Sequence, residues 1–147
     1  MGPKDQRPES IVLLMQRAAH VTLAALASRL GHLGLTPGEI NVLANLADGE
    51  QRTVSELSRQ VGTPLTTMTS LLDRLKRREL ITRRTPESNR RTVVIGLTRS
   101  GRRVASEALA AVAAVEGELA ADMSAGQLRQ LRRALEAAGR TAFSAHR

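Results

Sequence analysis

Apolar positions recur along most of the chain with the period of an α-helix. The segment from Ser10 to Leu30 is predicted to be helical, with Ser10 as its N-cap and Gly31 as its stop. Its apolar residues cover much more of the helix surface than a single stripe. Because a helix that is apolar on most sides must be covered on most sides, we expect a partner subunit to cover it.

Two capping boxes predict the starts of the next helices. Thr36-Pro37-Gly38-Glu39 combines a capping threonine, a proline at the first helical position and a glutamate at N3. This helix is predicted to end near Asp48-Gly49. Thr53-Val54-Ser55-Glu56 is the second box, and it predicts a short helix that stops at Gly62.

A further helix follows after a very short turn. It is predicted to open at Thr63-Pro64 and to reach about Arg78, so that only Gly62-Thr63 connects it to the helix before. This spacing is typical of a helix-turn-helix, because glycine permits a left-handed residue in the turn. The residues predicted to pack inward are Leu65, Met68, Leu72 and Leu75, and those predicted to face outward are Thr66, Thr67, Ser70, Arg74 and Arg77.

Two β-prone runs, residues 80–84 and 92–97, predict a hairpin whose loop is basic and rich in turn-forming residues. Thr98 is then predicted to cap a long Ala-rich helix, and Ser124 a final helix. The predicted fold class is therefore mainly α with a small β-hairpin, in the order of a winged helix-turn-helix. The single aromatic residue, Phe143, also favours a core built from aliphatic side chains on helices.

The net charge of +8 changes this picture because of its position in the chain. Between Asp73 and Arg103 there are eleven Lys or Arg residues and three acids, a surplus of eight that accounts for the whole net charge. A phosphate backbone favours such clustered cations through counterion release. A solvated basic face is the alternative, and the use of Arg for 20 of the 22 basic residues is also compatible with a bias in genome composition.

The outward face of the predicted recognition helix suits double-stranded DNA. Short Thr and Ser side chains let the backbone enter a major groove about 12 Å wide, and arginines one and two turns later can hold its rims. The hairpin can place arginine in a narrow minor groove. The candidate DNA-binding residues are Thr63, Pro64, Thr66, Thr67, Ser70, Arg74, Arg77, Arg84, Arg90 and Arg91.

Residues 35–101 resemble the MarR family of transcriptional regulators. The motifs that carry the resemblance are Leu35-Thr36-Pro37, Val54-Ser55-Glu56-Leu57, Thr69-Ser70-Leu71-Leu72-Asp73-Arg74-Leu75, Asn89-Arg90-Arg91 and Leu97-Thr98-Arg99-Ser100-Gly101. The family usually has Asp where Asn89 stands, an acid thought to brace the wing arginine that corresponds to Arg91. Asn offers only a weaker, neutral hydrogen bond, so less bracing of the wing is expected.

The resemblance implies one MarR-like domain over residues 1–147. It implies dimerisation helices in residues 10–32 and 99–145, and a winged helix-turn-helix in residues 36–97 with its wing at 81–97. Each half of the homodimer would read one half-site of a pseudo-palindromic operator. The expected function is a sequence-specific transcriptional regulator, a repressor released by a small-molecule effector.

Many relatives release DNA when a small, often phenolic, acid binds between the dimerisation and DNA-binding parts. Here Arg17 and His20 lie three residues apart on the first helix and His32 follows, so they could meet an anionic effector. Contacts with the partner subunit or with solvent are the alternative for the same three residues. The chain has no Tyr or Trp to stack on an aromatic ligand.

Other functions find little support in the sequence. The three histidines lack metal-ligand spacing, and no cysteine nucleophile, P-loop or dinucleotide fingerprint is present, so no catalytic residue, metal or cofactor is expected. RNA binding is an alternative, but a chain with one aromatic residue lacks a base-stacking platform. A winged fold used only for protein contacts is a further alternative.

The absence of cysteine fits a cytoplasmic protein. The polar residues 1–10 do not resemble a signal peptide. No apolar run is expected to approach the ~18–20 residues that span a bilayer, and no membrane association is predicted.

Overall fold

The computed structural model describes residues 9–144, and the side chains of residues 9–140. Residues 1–8 and 145–147 lie outside this description, including most of the polar N-terminal segment and the end of the predicted dimerisation segment at 145. The elements, in chain order, are α1 (Ile11–Arg29), a 3₁₀ turn (Gly31–Leu33), α2 (Pro37–Asn45), β1 (Arg52–Thr53), α3 (Val54–Val61), α4 (Leu65–Arg77), β2 (Ile81–Arg84), β3 (Val94–Leu97), α5 (Arg99–Ala120) and α6 (Ala125–Ser144).

Both predicted capping boxes are confirmed. The Thr36 hydroxyl accepts a hydrogen bond from the Glu39 main-chain N–H at 3.3 Å, and a Glu39 carboxylate oxygen accepts one from the Thr36 N–H at 2.7 Å. Thr53 and Glu56 repeat this arrangement at the start of α3, at 3.2 and 2.8 Å. Thr98 caps α5 as predicted, because its hydroxyl accepts from the Gly101 N–H at 2.9 Å. These local bonds fix where the helices begin.

The hydrophobic core lies between α4 and the elements that surround it, which are α2, α3, the small sheet and the first turns of α5. The buried members of this core are Val42, Leu43, Leu46, Leu57, Met68, Leu71, Leu72, Leu75, Leu80, Ile81, Ile95, Val104 and Ala105. One side of α4 is therefore held by packing, and its opposite side stays at the surface.

Two details of the predicted recognition helix were wrong. α4 begins at Leu65 with Pro64 as its N-cap, so three residues separate it from α3. Leu65 is 53% exposed and lines an open groove beside Gly62, whereas Leu71, which was not assigned to the inward face, is 5% exposed. Leu71 is buried because α2 also packs against α4, so that the inward face is wider than one row of residues.

The predicted hairpin is confirmed as β2 and β3, which pair antiparallel with Ile81 opposite Leu97 and Arg84 opposite Val94. A third strand, β1, pairs with β3 through Arg52 and Thr53. The sequence did not predict it, because two residues carry no readable alternation of apolar and polar positions.

None of the residues of α1 is buried in the described chain. Ile11 is 75% exposed and Val21 is 59% exposed. By length and composition alone α1 also passes as a membrane-spanning helix, with a mean hydropathy of 1.5 over an 18-residue window. The expectation that no apolar segment approaches that length was therefore wrong, since Ala residues extend the apolar segment and Arg17 is its only charged residue before Arg29.

Among the described residues, Glu79 is the one non-glycine residue with positive φ, at 56°. It follows the C-cap of α4, a position where glycine usually adopts the left-handed conformation. We expect Glu79→Gly to raise the free energy of unfolding by about 0.5–1 kcal/mol, because relief of the Cβ clash outweighs the added chain entropy. The melting temperature should rise by about 2–5 °C at matched protein concentration.

The matched control is Glu79→Ala, which removes the carboxylate and retains the Cβ. The main-chain hydrogen bonds of this residue, with Lys76 at 2.9 Å and from the Thr98 hydroxyl at 2.7 Å, are available to all three proteins. Equal melting temperatures for the Gly and Ala variants would contradict backbone strain at this position.

Candidate nucleic-acid interface

The turn between α3 and α4 is fixed by hydrogen bonds at Ser58. Gly62 adopts φ 70°, and the Thr63 main-chain N–H donates to the Ser58 carbonyl at 3.0 Å. The Ser58 hydroxyl donates back to the Thr63 carbonyl, and Ser58 is only 4% exposed. Sequence reasoning identified Gly62 but missed Ser58, which sets the angle at which α4 leaves the turn.

The predicted outward face of α4 lies at the surface. Thr66, Thr67, Ser70 and Arg77 are exposed, and Arg74 is partly exposed. The Ser70 hydroxyl donates to the Thr66 carbonyl at 3.4 Å, so its oxygen remains available as an acceptor. Within residues 9–144, the hydroxyls of Thr66 and Thr67 have no hydrogen-bond partner. This face offers small polar groups on a helix whose other side is anchored in the core.

Arg74 is held from one side by a buried acid. Its Nε donates to Glu39 Oε1 at 2.9 Å, and the Glu39 side chain is 4% exposed. Burial raises the pKa of the Glu39 carboxyl. Hydrogen bonds from the Thr36 main chain, from Arg74 and from the Thr36 hydroxyl together lower this pKa by more than burial raises it, so that the net shift is downward. The carboxylate is thus charged at neutral pH and fixes the Arg74 side chain.

Other basic residues between Asp73 and Arg103 stabilise the fold. Arg78 donates to the Leu33 carbonyl at 2.6 Å and to the Gly34 carbonyl at 2.9 Å, which ties the end of α4 to the connection before α2. Arg83 of β2 donates to Asp73 of α4 at 2.6 Å. This pair places the first wing strand directly beside the recognition helix.

The wing loop presents arginines to solvent. Arg84, Arg90 and Arg91 are all exposed. Asn89 Oδ1 accepts a hydrogen bond from the main-chain N–H of Arg91 at 3.1 Å. Asn89 therefore supports the backbone of the loop, and the expected side-chain contact to the Arg91 guanidinium is absent from the described residues.

Seven bases between Asp73 and Arg103 have no ion-pair or hydrogen-bond partner for their side chains among residues 9–140. They are Lys76, Arg77, Arg84, Arg90, Arg91, Arg99 and Arg103. Unpaired cations on α4 and on the adjacent wing give this side of the molecule a positive potential. Such a surface attracts a polyanion. The exposed face of α4 beside it can lie in the major groove of a nucleic-acid duplex.

The three candidate effector residues do not share a partner. Arg17 forms an ion pair with Glu9. His32 contacts Glu107 of α5 at 3.1 Å, with side chains that are 62% and 43% exposed. No hydrogen bond joins Arg17, His20 and His32 to one another in the described chain.

Comparison with known proteins identifies relatives that are transcriptional regulators, in agreement with the helix-turn-helix and wing described above. A model of the MarR family matches residues 33–92. The chain is 30% identical over 139 residues to the HTH-type transcriptional repressor Rv2887 of Mycobacterium tuberculosis, covering 95% of this chain and 99% of that protein. The chain belongs to the MarR family. It is accordingly a transcriptional regulator with a winged helix-turn-helix.

Solved structures of MarR-family proteins have the same fold as this regulator. CouR from Rhodococcus jostii RHA1, bound to p-coumaroyl-CoA, superposes with a TM-score of 0.81 at 27% identity and covers 92% of this chain and 96% of its own. A mutant MarR from E. coli complexed with operator DNA superposes with a TM-score of 0.73 at 22% identity, covering 87% and 92%. This MarR-family regulator thus shares its fold with both proteins.

Proposed function

We propose that this MarR-family regulator is a repressor that binds a double-stranded operator with α4 and the wing. The observation that carries the proposal is the pairing of a surface-facing hydroxyl row on a core-anchored helix with unpaired arginines on the adjacent hairpin. The hydroxyls would reach base edges or phosphates in the major groove, and the wing arginines would enter the minor groove. The proposed contacts are those of Thr63, Pro64, Thr66, Thr67, Ser70, Arg74, Arg77, Arg84, Arg90 and Arg91.

The proposed organisation is a homodimer of one domain per chain. Residues 36–97 form the DNA-binding region with the wing at 81–97, and residues 10–32 and 99–145 form the dimer interface. The support is the apolar surface of α1: none of its residues is buried within the described chain, and its exposed side chains would lose contact with water in a dimer. Two recognition helices held about 34–36 Å apart would match successive major grooves of a pseudo-palindrome.

A dimer of this kind predicts a result for charged substitutions in α1. We expect the double variant Leu13→Glu, Leu14→Glu to sediment as a monomer, because burying two unpaired carboxylates in an apolar interface is prohibitive. Both residues are exposed in the single chain, so the monomer itself tolerates the change. Gln16→Glu adds a charge at a position that is already polar and should remain dimeric in analytical ultracentrifugation. An unchanged molar mass for the double variant would contradict the proposed interface.

The proposed repressor function is tested with the DNA upstream of the regulator's own gene. A gel shift at several salt concentrations should give a shifted band whose affinity falls steeply with salt. Footprinting should protect a pseudo-palindrome with half-sites one helical turn apart. In a transcription assay, addition of the protein should lower the transcript from that promoter. Competition by structured RNA, or salt-insensitive binding to a protein with no duplex affinity, would favour the RNA or protein alternatives.

We further propose that a small anionic effector releases the DNA, with Arg17, His20 and His32 as its contacts. The family support comes from CouR, whose structure holds p-coumaroyl-CoA. A screen of carboxylic acids and their coenzyme A thioesters should raise the melting temperature for one class, and His20→Ala should abolish that rise. A screen without any shift would contradict an effector of this class.

A regulator that acts on chromosomal DNA is proposed to work in the cytoplasm, without catalysis and without a resident metal or cofactor. Soluble expression without detergent, with all protein recovered in the supernatant after ultracentrifugation, would support this location. Recovery in the membrane pellet would instead favour a membrane role for α1.

A further inference from the structure

Glu39 differs from the other capping acid of the winged region in what its second carboxylate oxygen does. In both capping boxes one oxygen accepts hydrogen bonds from the N-cap threonine, at 2.7 and 3.0 Å from Thr36 and at 2.8 and 2.9 Å from Thr53. Glu56 has no further hydrogen-bond partner in the described chain. Glu39 uses Oε1 to accept from Arg74 across the interface between α2 and α4.

This contact leaves the two terminal amino groups of the arginine free among the described residues. Nε of Arg74 is occupied, while Nη1 and Nη2 have no partner among the described residues, and the side chain is 41% exposed. The same side chain lines a surface depression on α4 together with Ser70, Asp73, Lys76 and Arg77. A guanidinium held through Nε keeps its two Nη groups as a fixed planar pair, and such a pair can bind a phosphate bidentately.

We propose that Glu39 is a positioning residue for operator binding, which acts by holding Arg74 so that its Nη groups meet a backbone phosphate of the duplex. The inference rests on the proposed DNA-binding function. Because Glu39 is 3% exposed, it does not itself contact DNA. Its effect is to remove, before binding, the rotamer freedom that a long exposed side chain would otherwise lose at the interface.

The sign of the effect distinguishes this role from simple electrostatics. Removing an acid close to a bound phosphate should strengthen DNA binding if charge alone mattered. Loss of positioning should weaken it. In Glu39→Gln the amide oxygen can still accept from Thr36, while the NH₂ group meets the Nε donor of Arg74, so the capping bonds remain and the arginine is released.

The experiment measures the affinity for a duplex that the wild-type protein selects from a randomised library. We expect Glu39→Gln to weaken binding about three- to tenfold, the cost of immobilising one long side chain. Glu56→Gln is the matched control, since it makes the same change in a capping box that lacks an arginine partner, and it should change the affinity less than twofold. Glu39→Gln should melt below Glu56→Gln, because it also removes the contact between α2 and α4, so both affinities are measured well below either melting temperature.

A double-mutant cycle with Arg74→Ala makes the test specific. If Glu39 acts through Arg74, then Glu39→Gln added to Arg74→Ala has no further effect on affinity. Affinity of Glu39→Gln equal to or tighter than wild type, or an effect that persists in the Arg74→Ala background, overturns the inference while the proposed function stands. Failure of the wild-type protein to select any duplex overturns both.

Discussion

Replacing Gly101 by alanine is expected to lower the free energy of unfolding by about 3–5 kcal/mol, a loss that falls in the severe range for a single substitution. A Cβ at this position would lie 1.8 Å from the Leu80 carbonyl oxygen and 2.8 Å from its carbon. These are main-chain atoms, so no side-chain rotation relieves the overlap. The first turn of α5 must move away from the turn before β2.

That movement would break bonds that connect two layers of the fold. The Thr98 N–H donates to the Leu80 carbonyl at 3.1 Å, and the Thr98 hydroxyl donates to the Glu79 carbonyl at 2.7 Å. Val104 and Ala105, one turn further along α5, are buried in the main core. The clash therefore disturbs both hydrogen bonding and packing where the winged region joins the long helix.

Gly117→Ala is the matched control, because it makes the same change in the same helix at a position where no atom of the described single chain lies within 4 Å of the new Cβ. It should raise stability by about 0.5–1 kcal/mol through helix propensity. Urea denaturation of the variants at equal protein concentration measures both effects. Similar midpoints for the Gly101 variant and the wild type would show that the close approach is not required.

The second large effect is expected at the wing. Arg91→Ala should weaken operator binding by about 1–3 kcal/mol, roughly fivefold to 160-fold, and should reduce the slope of log affinity against log salt by about one. The reason is that Arg91 is exposed and its guanidinium has no partner in the described chain, so its charge is available to the duplex. Fluorescence anisotropy over a salt series measures both quantities.

Arg91→Lys separates charge from shape. Lysine keeps the cation, so the salt slope should stay near that of the wild type. It lacks the planar fork, so part of the affinity should still be lost if the arginine enters a narrow minor groove. An alanine variant with wild-type affinity and slope would remove the wing from the binding mechanism.

Local features of the fold were readable from the sequence because they depend on neighbours a few residues apart. The capping boxes at Thr36 and Thr53, the left-handed Gly62 and the cap at Thr98 each involve contacts within five positions. Helix starts and the order of elements follow from such contacts. The motifs of residues 35–101 then added the family, which the relatives confirm.

Partners distant in the chain were not readable in this way. Glu39 was identified as a capping residue, but its contact with Arg74 spans 35 positions, and no local pattern announces it. The same holds for Arg78, which was counted with the basic surface and instead binds carbonyls before α2. Charge counting cannot separate bases that stabilise the fold from bases that are free to bind.

The helical period, the caps, the basic segment and the family could be inferred without coordinates, since each is encoded in residue types at short spacing. Three features needed the folded chain: which described cations remain unpaired, the burial of Leu71 rather than Leu65 in the core, and the lack of space for a side chain at Gly101. These outcomes depend on which elements pack against each other. Packing brings together atoms that are far apart in the chain, and their distances are set by the whole fold.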